Sequence, residues 1–169
     1  MSNESQAYKK WVDHCSNIQN STIVAITETP TEKHDRIERA KKDYAFFVEY
    51  YFPHYATAKV PLFHIAMARL VKAFPVLMLL VIWGRGLAKS VVGDILLPMW
   101  LWINGETIYM VIIGNNEDKA EILLNDIQAE FANNARIKHD FGDQVVAGRW
   151  AKGGFSCKER FTAKAIGMG

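Results

Sequence analysis

The sequence is short of the features that mark specialised classes of protein. Its 169 residues include only two cysteines, Cys15 and Cys157, which suit neither a disulfide scaffold nor a metal cluster and point to a reducing, cytosolic setting. Five histidines (His14, His34, His54, His64 and His139) show no ligand spacing with one another or with the cysteines, which argues against a zinc site. Long apolar runs are absent too. The longest stretches from Phe74 to Trp83, bracketed by Lys72 and Arg85, and falls well short of the roughly twenty residues a spanning helix needs. The opening residues, MSNESQAYKK, contain no apolar core of a secretory signal, so secretion is not expected. Nor is there a strong charge: 20 Lys and Arg against 18 Asp and Glu leave +2. A nucleic-acid coat is therefore not indicated, although a local basic path is not forbidden. What the chain does have is apolar content, 50% hydrophobic and 12% aromatic, enough to bury a core in one domain of ordinary size.

The pattern along the chain begins with helices. From Glu4, apolar positions Ala7, Trp11, Cys15 and Ile18 recur at helical spacing. Asn20 to Pro30, rich in Ser and Thr, reads as a linker. Thr31 is then expected to cap a helix whose stripe is Ile37, Ala40, Tyr44, Phe47, Val48 and Tyr51, ended by Pro53. A third helix is expected from about Pro61 to Lys72, with Phe63, Ala66, Met67 and Leu70 inward. The all-apolar run Val76 to Trp83 then reads as a strand covered on both faces. A helix pattern through Val91, Ile95, Leu96, Met99 and Trp102 follows. Next come a second buried strand over Thr107 to Ile113 and a helix capped by Asn115 or Asn116. That helix carries Ala120, Leu123, Leu124, Ile127 and Phe131 inward and Glu117, Glu121, Asp126 and Glu130 outward. Strand, loop, helix, strand, helix is the pattern of a parallel α/β sheet. Beyond Arg136, strands or hairpins are expected near Val145 and from Phe155 to Ile166.

The informative segment is Trp83 to Ser90. A phosphate-binding loop needs a sharply turned backbone whose N–H groups face an anion. It also needs a lysine for the β- and γ-phosphates, a hydroxyl for Mg²⁺, and a helix that opens directly after it. Gly84 and Gly86 supply the turn, Lys89 the cation and Ser90 the hydroxyl, between a strand pattern and a helix pattern. The Walker A spacing G-x-x-x-x-G-K-[ST] is met imperfectly: Trp83 stands where the first glycine belongs, and Ala88 precedes the lysine. A plain glycine turn with Lys89 in solvent is the competing reading.

Gly84-Arg85-Gly86-Leu87-Ala88-Lys89-Ser90 resembles the deviant Walker A of the large terminase subunits of tailed bacteriophages, ATP-driven motors that package DNA into capsids. The resemblance spans about Asp43 to Gly169. It also draws on Pro61-Leu-Phe-His64, Glu117-Asp-Lys-Ala120, Asp140-Phe-Gly142 and Trp150. It implies a partial P-loop NTPase-like parallel sheet over residues 59–169, preceded by an N-terminal helical region over 1–58. It further implies ATP and Mg²⁺ as cofactors, and nucleotide contacts from Gly84, Arg85, Gly86, Leu87, Ala88, Lys89 and Ser90. His64 falls where the family often contacts adenine, although a helix-start or packing role explains a lone histidine as well. Lys89 would bind the β/γ-phosphates, Ser90 would reach the metal through its hydroxyl, and Arg85 would sit near the γ-phosphate. Partners implied are double-stranded DNA, the small terminase subunit, the portal protein and further copies of the chain, in the host cytoplasm, with a separate RNase H-like nuclease domain.

Hydrolysis also needs carboxylates at the end of a strand, and none of Glu106, Glu117, Asp118, Glu121, Asp126, Glu130, Asp140, Asp143 or Glu159 follows an apolar strand in that way. The expectation is a chain ending before the acidic Walker B strand and inactive by itself. A non-catalytic viral interaction module with a vestigial loop, or another, helicase-like P-loop ATPase, remains open. The histidine–aspartate pairs His34-Asp35 and His139-Asp140 read as solvated turns, and the charges of Lys33 to Lys42 as a solvated face. Arg149, Lys152, Lys158, Arg160 and Lys164, interleaved with Trp150, Phe155 and Phe161, could line a DNA path or simply be exposed strand residues.

Overall fold

The computed structural model describes residues 3–24 and 27–168, with the side chains of residues 3–5 and of Ala7 outside the described set. The described residues form a mixed α/β fold of seven α-helices and a four-stranded sheet. The helices are α1 (Asn3–Ser21), α2 (Pro30–Lys42), α3 (Tyr44–Tyr51), α4 (Leu62–Ala73), α5 (Leu97–Ile103), α6 (Glu117–Asn133) and α7 (Ala135–Phe141). The strands are β1 (Ile108–Gly114), β2 (Trp150–Ala151), β3 (Gly154–Ser156) and β4 (Phe161–Gly167), in the spatial order β1-β4-β3-β2. No described helix is long and apolar enough to cross a membrane.

Local chemistry sets the helix boundaries. The cap of α2 is Thr29, not Thr31: its hydroxyl accepts from the Glu32 N–H while the Glu32 carboxylate accepts from the Thr29 N–H, with Pro30 in the first turn. The expected long helix through Tyr51 is two. Asp43 leaves helical geometry (φ −112°, ψ 100°) and its carboxylate caps α3 by accepting from Ala45 and Phe46 N–H. The inward face of α4 also differs from the expected stripe: His64 and Ala68 are buried, while Phe63, Ala66 and Leu70 are exposed. Apolar residues lie on both sides of this helix, so periodicity alone cannot say which side meets the core. On α6, capped by Asn116 through Lys119 N–H, the apolar stripe is inward as expected except that Leu123 is only half buried. Ile18 on α1 is fully buried; the Ala7 position of that stripe lies outside the described side chains.

The sheet is mixed rather than parallel. β1 and β4 form a seven-residue parallel ladder from Ile108↔Phe161 to Gly114↔Gly167, while β3 pairs antiparallel with β4 and with β2. β2 and β3 form a hairpin closed by Lys152 and Gly153, and no strand forms at Val145. Alternation puts Phe161, Ala163 and Ala165 of β4 inward against α6, with Ile112 of β1 and Phe155 of β3. Helix α6 comes close because both ladder ends are glycine. A Cβ on Gly167 would stand 2.6 Å from Glu117 N, and one on Gly114 2.7 Å from Asn116 O. The core gathers around Trp102, edge-on to Phe131 at 5.2 Å; Phe131 in turn meets Phe161 at 5.1 Å.

The run Val76 to Trp83 overturns the expectation of a doubly covered strand. It is extended but joins no ladder, and Val76, Met78, Leu80 and Ile82 are 93%, 99%, 82% and 82% exposed. Without hydrogen-bonded neighbours on either side, a run of this composition cannot be covered as a central strand would be. The second expected strand forms as β1, yet only Ile112 of its side chains is buried, because helices pack on one face of the sheet alone.

Two polar networks tie the helices together, and both involve groups expected in solvent. The side chain of Asp140 is fully buried, paired with Arg36 and accepting from Tyr51 Oη at 2.6 Å. His139 Nδ1 lies 2.8 Å from the same carboxylate, and Arg36 also pairs with Glu28. His139 and Asp140 lie within α7 rather than in a solvated turn, and the Lys33–Lys42 face is not simply solvated either. Glu130 is likewise buried, with His54 Nε2 at 2.7 Å and Asn134 Nδ2 donating at 2.9 Å. Arg36→Ala leaves the Asp140 carboxylate without its main counter-charge and is expected to cost about 3–5 kcal/mol in urea unfolding. Adding Asp140→Asn should recover a large part of that loss.

Candidate functional site

The Gly84–Ser90 segment follows the extended Val76–Trp83 run and turns sharply at two left-handed residues, Gly86 (φ 81°) and Ala88 (φ 54°). Gly86 meets this geometry freely, and an added Cβ there would touch nothing within 4 Å. Ala88 is the telling position. It stands where the phosphate-loop pattern has its second glycine, and its backbone holds the conformation glycine prefers at a cost of about 1 kcal/mol.

Immediately after the turn the chain is helical. Val92 N–H donates to Ala88 O at 2.9 Å, and Lys89 and Ser90 occupy the first helical positions. Ser90 makes no side-chain capping bond, so its hydroxyl is not used by the helix. Over Val91–Leu96 the helix is π-wound, with Leu97 N–H reaching back to Val92 O, before it continues as α5. Pro98 accounts for the widening: it has no N–H for the Asp94 carbonyl, and its ring crowds that group. Arg85, Lys89 and Ser90 are exposed, and no ion pair among the described residues engages either cation.

His64 supports the turn from behind. Its ring stacks on Trp83 at 4.9 Å, and Nε2 lies 3.1 Å from Leu87 O. A carbonyl can only accept, so Nε2 carries the proton in this contact. Phe63 adds an edge-on contact to Trp83 at 5.0 Å. His64 also borders a cavity of about 200 Å³ between the Tyr55–Pro61 stretch and Gly86, Leu87 and Ala88. The wall is largely apolar, with Val60, Pro61 and Val91 among its residues. Its volume is below the ~300–1,000 Å³ of sites that enclose a whole small ligand and suits one ring system.

Several expected groups do not converge here. No carboxylate lines this cavity. The acid carried by the helix that opens at the loop is Asp94, pushed up to about 6 by burial first and then by Asp126. Asn116 is engaged in capping α6. Phe155 and Phe161 are buried, so the aromatic side chains interleaved with the C-terminal basic residues belong to the core, while Arg149, Lys152, Lys158, Arg160 and Lys164 are exposed. Among the described residues, one trio of possible metal ligands comes together, Glu28, His139 and Asp140. The Arg36 guanidinium already bridges its two carboxylates, which disfavours a second cation there. Sequence reasoning missed the Tyr55–Pro61 wall, whose signal was a short stretch closed by Pro53 and Pro61. It missed the buried His54–Glu130 pair as well, which has no local signal because its members lie 76 positions apart.

No family model matches the chain, and neither a curated protein nor a solved structure is found to be similar to it.

Replacing Ala88 by Gly relieves the left-handed strain at that position. It is expected to raise unfolding stability, by less than about 1 kcal/mol because glycine also loosens the unfolded chain. A urea titration checks this. Asp94 binds its proton more tightly in the folded state than in the unfolded chain, where its ordinary value is 3.8. The stability this group adds is therefore complete below about pH 4 and lost as pH rises through about 6. Asp94→Asn is expected to be more stable than the parent at pH 7, by about 1 kcal/mol after allowance for its partial exposure. The difference should close on acidification to pH 4, as followed by thermal melts.

Proposed function

We propose that the chain is the nucleotide-binding part of a P-loop ATPase of the phage large-terminase kind, whose complete form couples hydrolysis to DNA packaging. The observation that carries the reading is the Gly84–Ser90 loop, left-handed at Gly86 and Ala88 and opening straight into a helix at Lys89. A turn of this kind before a helix start suits a polyphosphate, because free N–H groups and the helix dipole both favour an anion. The donor set also fits ATP and Mg²⁺. Lys89 offers an ammonium for the β- and γ-phosphates, Ser90 a hydroxyl to the metal, and Arg85 a second cation near the γ-phosphate. The apolar cavity beside the loop suits a base, with His64 holding the Leu87 carbonyl. In this reading the fold is a partial P-loop sheet, and the strand Val76–Trp83 finds its ladder partners elsewhere in the assembled protein. Double-stranded DNA, a small terminase subunit, a portal and further copies of the chain are partners of the same proposal.

The exposure of Val76, Met78, Leu80 and Ile82 favours a second reading, an interaction module whose loop no longer binds nucleotide. Titration with ATP–Mg²⁺ separates the two. Binding that Lys89→Ala weakens about tenfold or more supports the first reading; no binding to either protein supports the second. Because no carboxylate stands at the loop, turnover by the chain itself is expected to be negligible. Robust hydrolysis abolished by Lys89→Ala would show that an acid from elsewhere in the chain reaches the site.

A further inference from the structure

Helices cover only one face of the sheet, and the other face has a distinct chemistry. Tyr109, Val111 and Ile113 of β1 and Thr162, Lys164 and Ile166 of β4 alternate with the buried residues and point away from α6. Tyr109 is 71% exposed and is the register partner of Thr162. Thr162 Oγ1 donates to Ser156 Oγ of β3 at 3.1 Å, and Lys164 stands opposite Gly154. Tyr109, Ser156, Thr162, Lys164 and Arg149 border a shallow depression of about 450 Å³ with no acidic side chain in its lining.

We propose that this face binds single-stranded nucleic acid. A base has an apolar flat face and its strand an anionic backbone. The depression offers an exposed tyrosine ring, two cations, Arg149 and Lys164, and the hydroxyls of Ser156 and Thr162 within the same lining. The charge in the lining is of one sign, from Arg149 and Lys164, and is complementary to phosphate. Sheet faces that present an aromatic ring among basic neighbours are well suited to stacking unpaired bases, and duplex DNA buries its base faces where such a ring cannot reach them. Gly153 and Gly154 keep the β2–β3 side of the depression low. The site is separate from the Gly84–Ser90 loop and does not depend on nucleotide binding there.

The test is fluorescence anisotropy of the full chain with a labelled oligo-dT of about 15 nucleotides and with a duplex of equal length. Single-strand binding is expected, with log K falling against log salt at a slope of about −1.4 for two neutralised phosphates. Tyr109→Ala should weaken it roughly tenfold, and Lys164→Glu should remove at least half of the salt slope. Both sites are at the surface, and unchanged thermal melts would exclude unfolding as the cause. Lys89→Ala should leave the single-strand titration unaltered, so failure of the loop reading and failure of this one are separable. Three results would overturn the proposal: no binding at 50 mM salt, equal binding by Tyr109→Ala and the parent, or duplex preferred over single strand. A concentration-dependent dimer lost on Ile166→Asp, without DNA binding, would assign the face to protein contact instead.

Discussion

The structure depends on the close fit of one helix against the ends of two parallel strands. β1 and β4 end in register at Gly114 and Gly167, and the first turn of α6 lies so near both that a single methyl group at either would collide with its backbone. From that anchor α6 runs across the sheet and carries Ala120, Leu124, Ile127 and Phe131 into the core. Phe131 links Trp102 of α5 to Phe155 and Phe161 of the sheet, so the helix that begins at the loop is clamped to the strands through one aromatic cluster. Parallel strands cannot be joined by a short turn, and α6 with α7 and the β2–β3 hairpin make up the crossover between them.

The loop is held differently. Its far side is fixed by Val92 and the buried face of the π turn, its near side by Trp83 packed against Phe63 and His64 of α4. Because His64 donates to the Leu87 carbonyl, α4 positions the backbone of the turn itself. The side chains of Arg85 and Lys89 stay exposed while the neighbouring carbonyls of Leu87 and Ala88 are hydrogen-bonded. The π winding over Val91–Leu96 and the left-handed Ala88 are local departures from ideal geometry beside the loop; a second left-handed residue, Arg160, lies apart from it, just before β4.

Much of this was legible from residue patterns. Most of the helix content, a cap at Asn115 or Asn116, the apolar stripe of α6 and the β-branched run of β1 follow from period and propensity, which act over a few residues; the structure selects Asn116. The break at Asp43 had a signal as well, since aspartate is a strong cap, but the apolar stripe continues across it and hides the boundary. The inward face of α4 could not be read, because Phe63 and Leu70 compete with His64 and Ala68 and only the neighbouring elements decide between them. Composition misled at Val76–Trp83, where apolar residues imply burial although covering depends on which strands pair alongside.

By itself, the sequence determined most of the helix content, the β-branched run of β1 and which short loop carries a lysine, a hydroxyl and an arginine, since these depend on contacts between near neighbours. It did not show α7 or the break at Asp43. Tertiary structure alone decided that the sheet is mixed, that β1 meets β4 and leaves Val76–Trp83 unpaired, and that Asp140 and Glu130 are buried beside Arg36 and His54. Pairings across such separations arise from the mutual fit of whole elements, and no local period encodes them.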